Sequence, residues 1–469
     1  MVGKDVVRGA LTGAGLAAIG WGLYQGWGLS HPLLNLYGWI TFWLGVPSVF
    51  QFAHRVFGYG ELGKNLAFFG TVGLWLFLHM ALTWLWRTRG PVALPTALVL
   101  YLLLSGWLAG LIYTGLLALF WWRKRGRTHF RAAGGRGGVS RRKLLAVLGV
   151  LATRNGRQGA KAQSATPSRI AWDRVPGLSL EVTPQGKLYI VSKNPAIFDP
   201  NLKGRPYSLE VGGLVEKPLK LGLEELKALP ASHLWNTLVC ISNPVGGDLI
   251  GCARWTGVPL KFLLDRAGMK PQARWLVFEA ADGYRESLPL AELPAQALIA
   301  YAINGEELEP RHGYPTRLIL PGRYGMKQPK WLTRILVLER EEVGYWAQRG
   351  WSREAVIRTL SRIDVPRPGV QLKEGEEVLV AGVAYAGGRP LERVEISTDG
   401  GLTWQRAELK PPRSQFAWQL WALPWRPLQG NYTLKVRAVE VGGRVQDPVD
   451  REPLPEGASG YHTVRVRVR

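Results

Sequence analysis

A cysteine ends an apolar run and enters a turn-rich loop at Leu238-Val239-Cys240-Ile241-Ser242-Asn243-Pro244-Val245-Gly246-Gly247-Asp248. Loops at strand ends are where folds present reactive side chains. A thiolate there is a soft metal ligand. The second cysteine, Cys252, matches no ligand spacing and reads as packing. Two cysteines in 469 residues exclude a disulfide scaffold and a multi-cysteine zinc or iron–sulfur site. The absence of Cys-x-x-Cys-His excludes covalent c-type haem. A second cluster is basic: His312-Gly313-Tyr314-Pro315-Thr316-Arg317, then Lys327-Gln328-Pro329-Lys330. Arginine, lysine and backbone N–H groups are what a phosphate needs. One such lysine alone would read as a solvated loop; the dense spacing points to an anionic ligand.

These residues need a scaffold. From about Thr166 the sequence has short strand-like runs at 188–191, 237–241, 275–279, 317–320 and 334–338, with helical stretches at 222–229 and 259–267. That mixed order predicts an α+β domain over 166–365. Over 366–469 helical patterns vanish. Runs at 377–384, 394–398, 418–423 and 431–438, with turns at Asp399-Gly400-Gly401 and Gln429-Gly430-Asn431, predict an all-β immunoglobulin-like sandwich.

The first quarter is different. Between Val6 and Trp122 the one acid is Glu61, and four apolar segments can be drawn at 7–29, 33–53, 66–86 and 92–122. Each reaches the roughly 20 residues that a bilayer-spanning helix needs. Trp21, Trp27, Tyr37, Trp84, Trp86, Trp121 and Trp122 lie near the proposed ends, as interfacial anchors would. Residues 1–125 therefore read as a membrane module of about four transmembrane helices. Pro47 and Ser48 make the second segment the weakest, and a re-entrant piece is its alternative. His31 and His79 fall at similar depth, where two histidines could ligate a b-type haem axially.

The formal net charge is +24, and residues 123–143 carry nine Lys/Arg and no acid. Such a block places itself in the cytoplasm. The remaining charge is diffuse, which argues against nucleic acid as a partner. Residues 126–165 form a basic linker in which Ser140-Arg141-Arg142-Lys143-Leu144-Leu145 precedes a short apolar core. The paired arginines resemble the twin-arginine export signal, which carries proteins already folded around a cofactor. An uncleaved anchor is the alternative. Either way the soluble part is expected at the cell membrane on its non-cytoplasmic side.

The motifs in order resemble the sulfite oxidase family. They are the Cys240 loop, Trp255-Thr256-Gly257-Val258-Pro259-Leu260, Asp282-Gly283-Tyr284 with Ser287-Leu288-Pro289-Leu290, Ala300-Tyr301 with Asn304-Gly305, and His312 to Arg317. Pro321-Gly322 and Lys327 to Leu332 complete the series. Glu395 to Trp404 and Trp418-Gln419-Leu420-Trp421 resemble the family's dimerisation domain. The resemblance covers about residues 172–469. It implies a sulfite-oxidase-like molybdopterin domain and oxygen-atom transfer to sulfite or a similar small oxyanion. Electrons would pass to an external acceptor, a cytochrome or the quinone pool, and the chain would form a homodimer.

Residue by residue, the resemblance makes Cys240 the molybdenum ligand and Tyr301 the active-site tyrosine, with Tyr284 ambiguous. It gives Asn194, His312, Arg317, Lys327, Gln328 and Lys330 to the pterin and its phosphate. One departure stands out. The family carries arginines soon after the cysteine, and here Pro244 and Val245 follow Asn243, while Lys193 stands where another family arginine lies. Arg254 is the candidate to compensate. A sulfoxide reductase and a non-catalytic binding protein with a degenerate site are the rival readings. The dimerisation domain argues against the first, and intact Cys240, Arg317 and Lys330 against the second.

Overall fold

The computed structural model describes residues 2–27, 31–43, 61–89, 93–122 and 170–469. The twin-arginine segment and its basic run lie outside the described residues.

Four helices open the chain: α1 (Val2–Trp27), α2 (Pro32–Trp43), α3 (Glu61–Arg89) and α4 (Ala93–Trp122). They match the four expected segments, although α2 covers only part of 33–53. Among the described residues one stretch, Phe68–Trp86, is long and apolar enough to cross a membrane, against the four spans expected. α1 meets α3 through glycine: a Cβ on Gly9 would lie 2.5 Å from the Met80 Cα, so only glycine permits this approach. The Trp75 indole donates to the Gly13 carbonyl across the same contact at 3.0 Å.

The two histidines do not form a haem site here. His79 Nδ1 bonds the Trp75 carbonyl at 2.8 Å and its Nε2 bonds the Tyr101 hydroxyl at 2.5 Å. His31 Nε2 bonds the Ala17 carbonyl at 3.0 Å, and its Nδ1 accepts from the Leu33 amide at 3.1 Å. In each ring one nitrogen donates to a carbonyl and the other already accepts a proton. Neither offers a lone pair to iron, so the expected axial pair does not fit.

The α+β domain holds two sheets. The first has strand order β2 (Leu219–Leu221), β1 (Leu209–Gly213), β10 (Leu332–Leu338), β5 (Trp275–Ala280), β6 (Arg285–Pro289). The second runs β3 (Ser232–Val239), β4 (Ile250–Pro259), β7 (Leu298–Ile303), β8 (Glu306–Glu307), with β9 (Arg317–Ile319) also paired to β7. Two short helices, α5 (Leu223–Lys227) and α6 (Leu260–Ala267), pack with them. In α6, Leu260, Leu263, Leu264 and Ala267 recur at helical spacing and are buried in the core shared with β1, β5 and β10. Gly268 at φ +68° ends the helix. The expected strand at 188–191 does not form. That segment pairs with no strand, and Tyr189, Ile190 and Val191 form a wall of the site.

The C-terminal region is a two-sheet β-sandwich. One sheet is β11 (Leu360–Val365), β13 (Val378–Tyr385), β17 (Gln419–Trp425), β16 (Glu408–Leu409). The other is β12 (Gln371–Leu372), β19 (Thr463–Val468), β18 (Gly430–Glu440), β14 (Leu391–Ser397), β15 (Gln405–Arg406). β11 pairs with β13, so the boundary falls before Leu360 rather than at 365/366. In β19, Val464, Val466 and Val468 face inward and Thr463, Arg465 and Arg467 face out, the period of a half-buried strand.

The sandwich also covers β3. The Thr237 amide donates to the Phe416 carbonyl at 2.8 Å, and the Trp418 amide to the Thr237 hydroxyl at 2.8 Å. Trp418 packs in one cluster with Val239, Ile241 and Cys252, and Trp421 is fully buried between the two sandwich sheets. Neither is an anchor for a second chain; both are consumed within this one. Trp425 stacks edge-on to Tyr432 at 4.9 Å.

Candidate functional site

β3 stops at Val239, and the chain turns directly at Cys240. Its amide bonds the Leu249 carbonyl, its carbonyl accepts the Asn243 amide, and Asn243 Oδ1 accepts the Leu249 amide. This closed loop aims the thiol into a cleft with an empty volume, open mouth included, of about 1120 Å³. Cys240 Sγ lies 3.0 Å from the Ser242 hydroxyl. Cys252, by contrast, is fully buried, and burial pushes its thiol up to about 11. It is packing, as its spacing suggested.

Arg317 lies on the same cleft. β9 pairs with β7, which places the guanidinium 5.0 Å over the Trp255 ring. It donates to the carbonyls of His312 at 3.0 Å and Gln328 at 3.4 Å, and its Nε has no partner. No carboxylate lies within ion-pair distance of it among the described residues. Burial pushes it down to about 10, so it stays a cation at neutral pH. A buried charge without a counterion is strongly unfavourable. His312 lines the cleft with its Nε2 buried and unpartnered. Burial, then Arg317 and Lys330, push it down to about 4, so the ring is neutral. Asn194 is buried beside the 189–193 wall, its Oδ1 accepting from Lys193 and its Nδ2 without a partner. Lys330 donates to the Ser192 hydroxyl at 2.7 Å and the Arg311 carbonyl at 3.0 Å.

Buried polar atoms are almost always paired in a finished protein. Three that are not, Arg317 Nε, His312 Nε2 and Asn194 Nδ2, lie at or beside one cleft beneath a cation without an anion. The residues present therefore fit a polar anionic group of pterin-phosphate type, with Cys240 as a thiolate donor to its metal.

Two expected residues, Tyr301 and Lys327, fall elsewhere, and a third, Gln328, has its side chain already engaged. Tyr301 is on β7 with its side chain on the face of Ile299, packed against the core between the sheets. Ala300, one residue earlier, is on the face of Trp255. Tyr284 lines the cleft instead. Lys327 is 3 % exposed and ion-paired to Glu286 at 2.8 Å, away from the cleft lining. Gln328 borders the cleft, but its side chain is spent bracing the Leu320 amide and the Arg323 carbonyl.

Comparison with known proteins gives the type of the two domains. A profile described as the oxidoreductase molybdopterin binding domain matches residues 197–346, and one described as the Mo-co oxidoreductase dimerisation domain matches 355–453. The chain carries a molybdopterin-binding oxidoreductase domain of the sulfite oxidase type, followed by a Mo-co dimerisation domain. It is 33% identical to human mitochondrial sulfite oxidase over 55% of this chain and 57% of that protein. It is 30% identical to the Drosophila melanogaster enzyme over 61% of this chain and 59% of that protein. The chain thus spans under two thirds of these relatives' length. A solved structure, the sulfane dehydrogenase SoxCD of Paracoccus pantotrophus, superposes with TM-score 0.55 at 26% identity over 62% of this chain and 82% of that one.

Within the sulfite oxidase frame, the loop departure has a structural consequence. Pro244 and Val245 face a second, smaller cavity toward the sandwich and do not line the Cys240 cleft. Arg254, on β4, does not line it either. Residues the sequence reading passed over do so: Tyr189, Ser192, Asp282, Arg311, Trp346 and Trp351. The cations at the cleft are Lys193, Arg311, Arg317 and Lys330, of which Arg311 is paired with the Asp199 carboxylate at 3.3 Å.

Proposed function

We propose that the chain is a molybdenum-cofactor oxidoreductase that oxidises a small sulfur compound, sulfite or a sulfane-type species, and passes the electrons to an external acceptor. The observation that carries this reading is the buried, counterion-free Arg317 beside Cys240 on one cleft. When bound, the molybdenum cofactor supplies two-electron oxygen-atom transfer. The substrate gains an oxygen that originates in water, and two electrons and two protons leave. This chain's residues provide the rest. Arg317, His312, Asn194 and Lys330 hold the pterin and its phosphate; Cys240 holds the metal; Lys193 and Arg311 draw an anion to the mouth. Trp346, Trp351 and Tyr284 wall the thiol side with aromatic surface. With no arginine from the cysteine loop, that end is less selective for an anion, so sulfane-type species fit beside sulfite. The relation to a sulfane dehydrogenase agrees with this.

Purified full-length protein is expected to carry one molybdenum per chain and to reduce an artificial acceptor with sulfite, thiosulfate or a persulfide. Metal-free protein with no turnover on the whole panel would refute the reading.

The same reading tethers the enzyme to the cell membrane through α1–α4, with the catalytic domain on the non-cytoplasmic side and a cytochrome or the quinone pool as acceptor. The nine uncompensated cations of residues 123–143 support that sidedness. Reporter fusions after Arg131 and after Arg469 are expected on opposite sides; the same side for both would overturn it. A two-fold dimer through the sandwich is expected from light scattering on the detergent-solubilised full chain, and a single chain would contradict it.

A further inference from the structure

Tyr284 is held by more than its own turn. The turn itself is closed by the Asp282 carboxylate, which accepts the Tyr284 amide at 2.9 Å. The phenol then donates to the Met326 carbonyl at 2.6 Å, with Glu286 Oε2 at 3.3 Å. Glu286 is two residues beyond Tyr284 on β6, and Lys327 directly follows Met326. Lys327 Nζ donates to Glu286 Oε1 at 2.8 Å and to the Ser287 carbonyl at 3.0 Å. Side-chain exposure is 4% for Lys327 and 0% for Glu286. The ion pair therefore staples β6, the strand that directly follows the phenol, to the loop that carries its acceptor.

We propose that the Glu286–Lys327 pair is a positioning device that fixes the Tyr284 phenol in the cleft wall. The inference rests on the reading of this cleft as the cofactor and substrate site. Three further features support it. First, a buried ion pair is a weak source of stability, because desolvation offsets most of the attraction, so its worth lies in the geometry it imposes. Second, both charges are fully engaged and neither reaches the cleft, which leaves no role in ligand binding. Third, the backbone seals the pair. A Cβ on Gly344 would lie 2.1 Å from Glu286 Oε1, so a side chain at 344 would displace the carboxylate from its present place. The chain then continues to Trp346 at the cleft, and the Tyr345 ring tilts against Tyr284 at 5.8 Å. Tyr284, Met326 and Trp346 are thus referenced to one buried contact.

The test uses the full chain and the Glu286→Gln/Lys327→Met double variant. Removing both charges leaves neither one buried alone, so the fold is expected to persist. Molybdenum content and KM are expected to stay at wild-type values, while kcat falls by at least about tenfold, since small misplacements in the site that arise away from the chemistry cost that much or more. A crystal structure of the variant is expected to show the phenol released from the Met326 carbonyl. An unmoved phenol, a wild-type kcat or lost molybdenum each overturns the proposal. Gly344→Ala keeps both charges and displaces the carboxylate. It is expected to reproduce the fall in kcat, and it decides the matter alone if the double variant does not fold. If the wild-type protein turns over no sulfur substrate, the position of the phenol in the variant structure still decides the positioning role, and it is the reading of the reaction that fails.

Discussion

Cys240→Ser is expected to keep the fold and to lower turnover by more than about 100-fold. The two side chains are nearly isosteric, and the Cys240 backbone bonds to Leu249 and Asn243 do not involve the sulfur. The loop should therefore close as before. What changes is the donor: an alkoxide or hydroxyl oxygen is harder than thiolate and binds a different balance of metal oxidation states. Turnover with an artificial acceptor, molybdenum content and melting temperature measured together separate the effects. Wild-type turnover in the serine variant would remove Cys240 from the metal. Cys252→Ala is the internal control. That side chain is fully buried in an apolar cluster with Trp418 and Ala381. Its truncation should cost about 1–2 kcal/mol of stability and leave most activity.

Arg317→Met is expected to cut cofactor content to below about a tenth of wild type, because removing one partner from a buried charge-assisted contact costs 2–5 kcal/mol. The sharper expectation concerns the cofactor-free protein. Arg317 has no carboxylate to pair with, so the neutral methionine removes an uncompensated charge from the interior. It gives up hydrogen bonds to the His312 and Gln328 carbonyls in exchange. The two changes oppose each other, and the melting temperature without cofactor should stay close to wild type. Arg317→Lys should fall between, since an ammonium cannot reproduce the planar fork of donors. Full molybdenum loading in the methionine variant would show that this cation serves something other than the cofactor.

The sequence by itself determined those features that depend on local chemistry. The turn at Cys240 was legible because an apolar strand runs into Pro and Gly there, and the chain cannot continue a ladder through them. α6 was legible from Leu260, Leu263, Leu264 and Ala267, and the sandwich from runs of period two. The basic group of His312, Arg317 and Lys330 was legible as a site for an anion from its dense spacing in one short stretch.

Only the tertiary structure decided which member of each candidate pair does the work. Tyr301 and Tyr284 are equivalent as residue types. On β7 a side chain's face alternates with every position, so the core took Tyr301 while Ala300 took the Trp255 face. Lys327 looked like Lys330 until Glu286, 41 residues away in sequence, closed on it. Trp418 and Trp421 lie in a motif that resembles a dimerisation domain, and only the structure shows that β3 and the second sandwich sheet cover them. The same holds for Arg317: a sequence shows that a cation is present, but only packing shows that no anion reaches it. Whether a charged or aromatic side chain is spent on the fold or left for a ligand depends on long-range contacts, and local patterning carries no record of them.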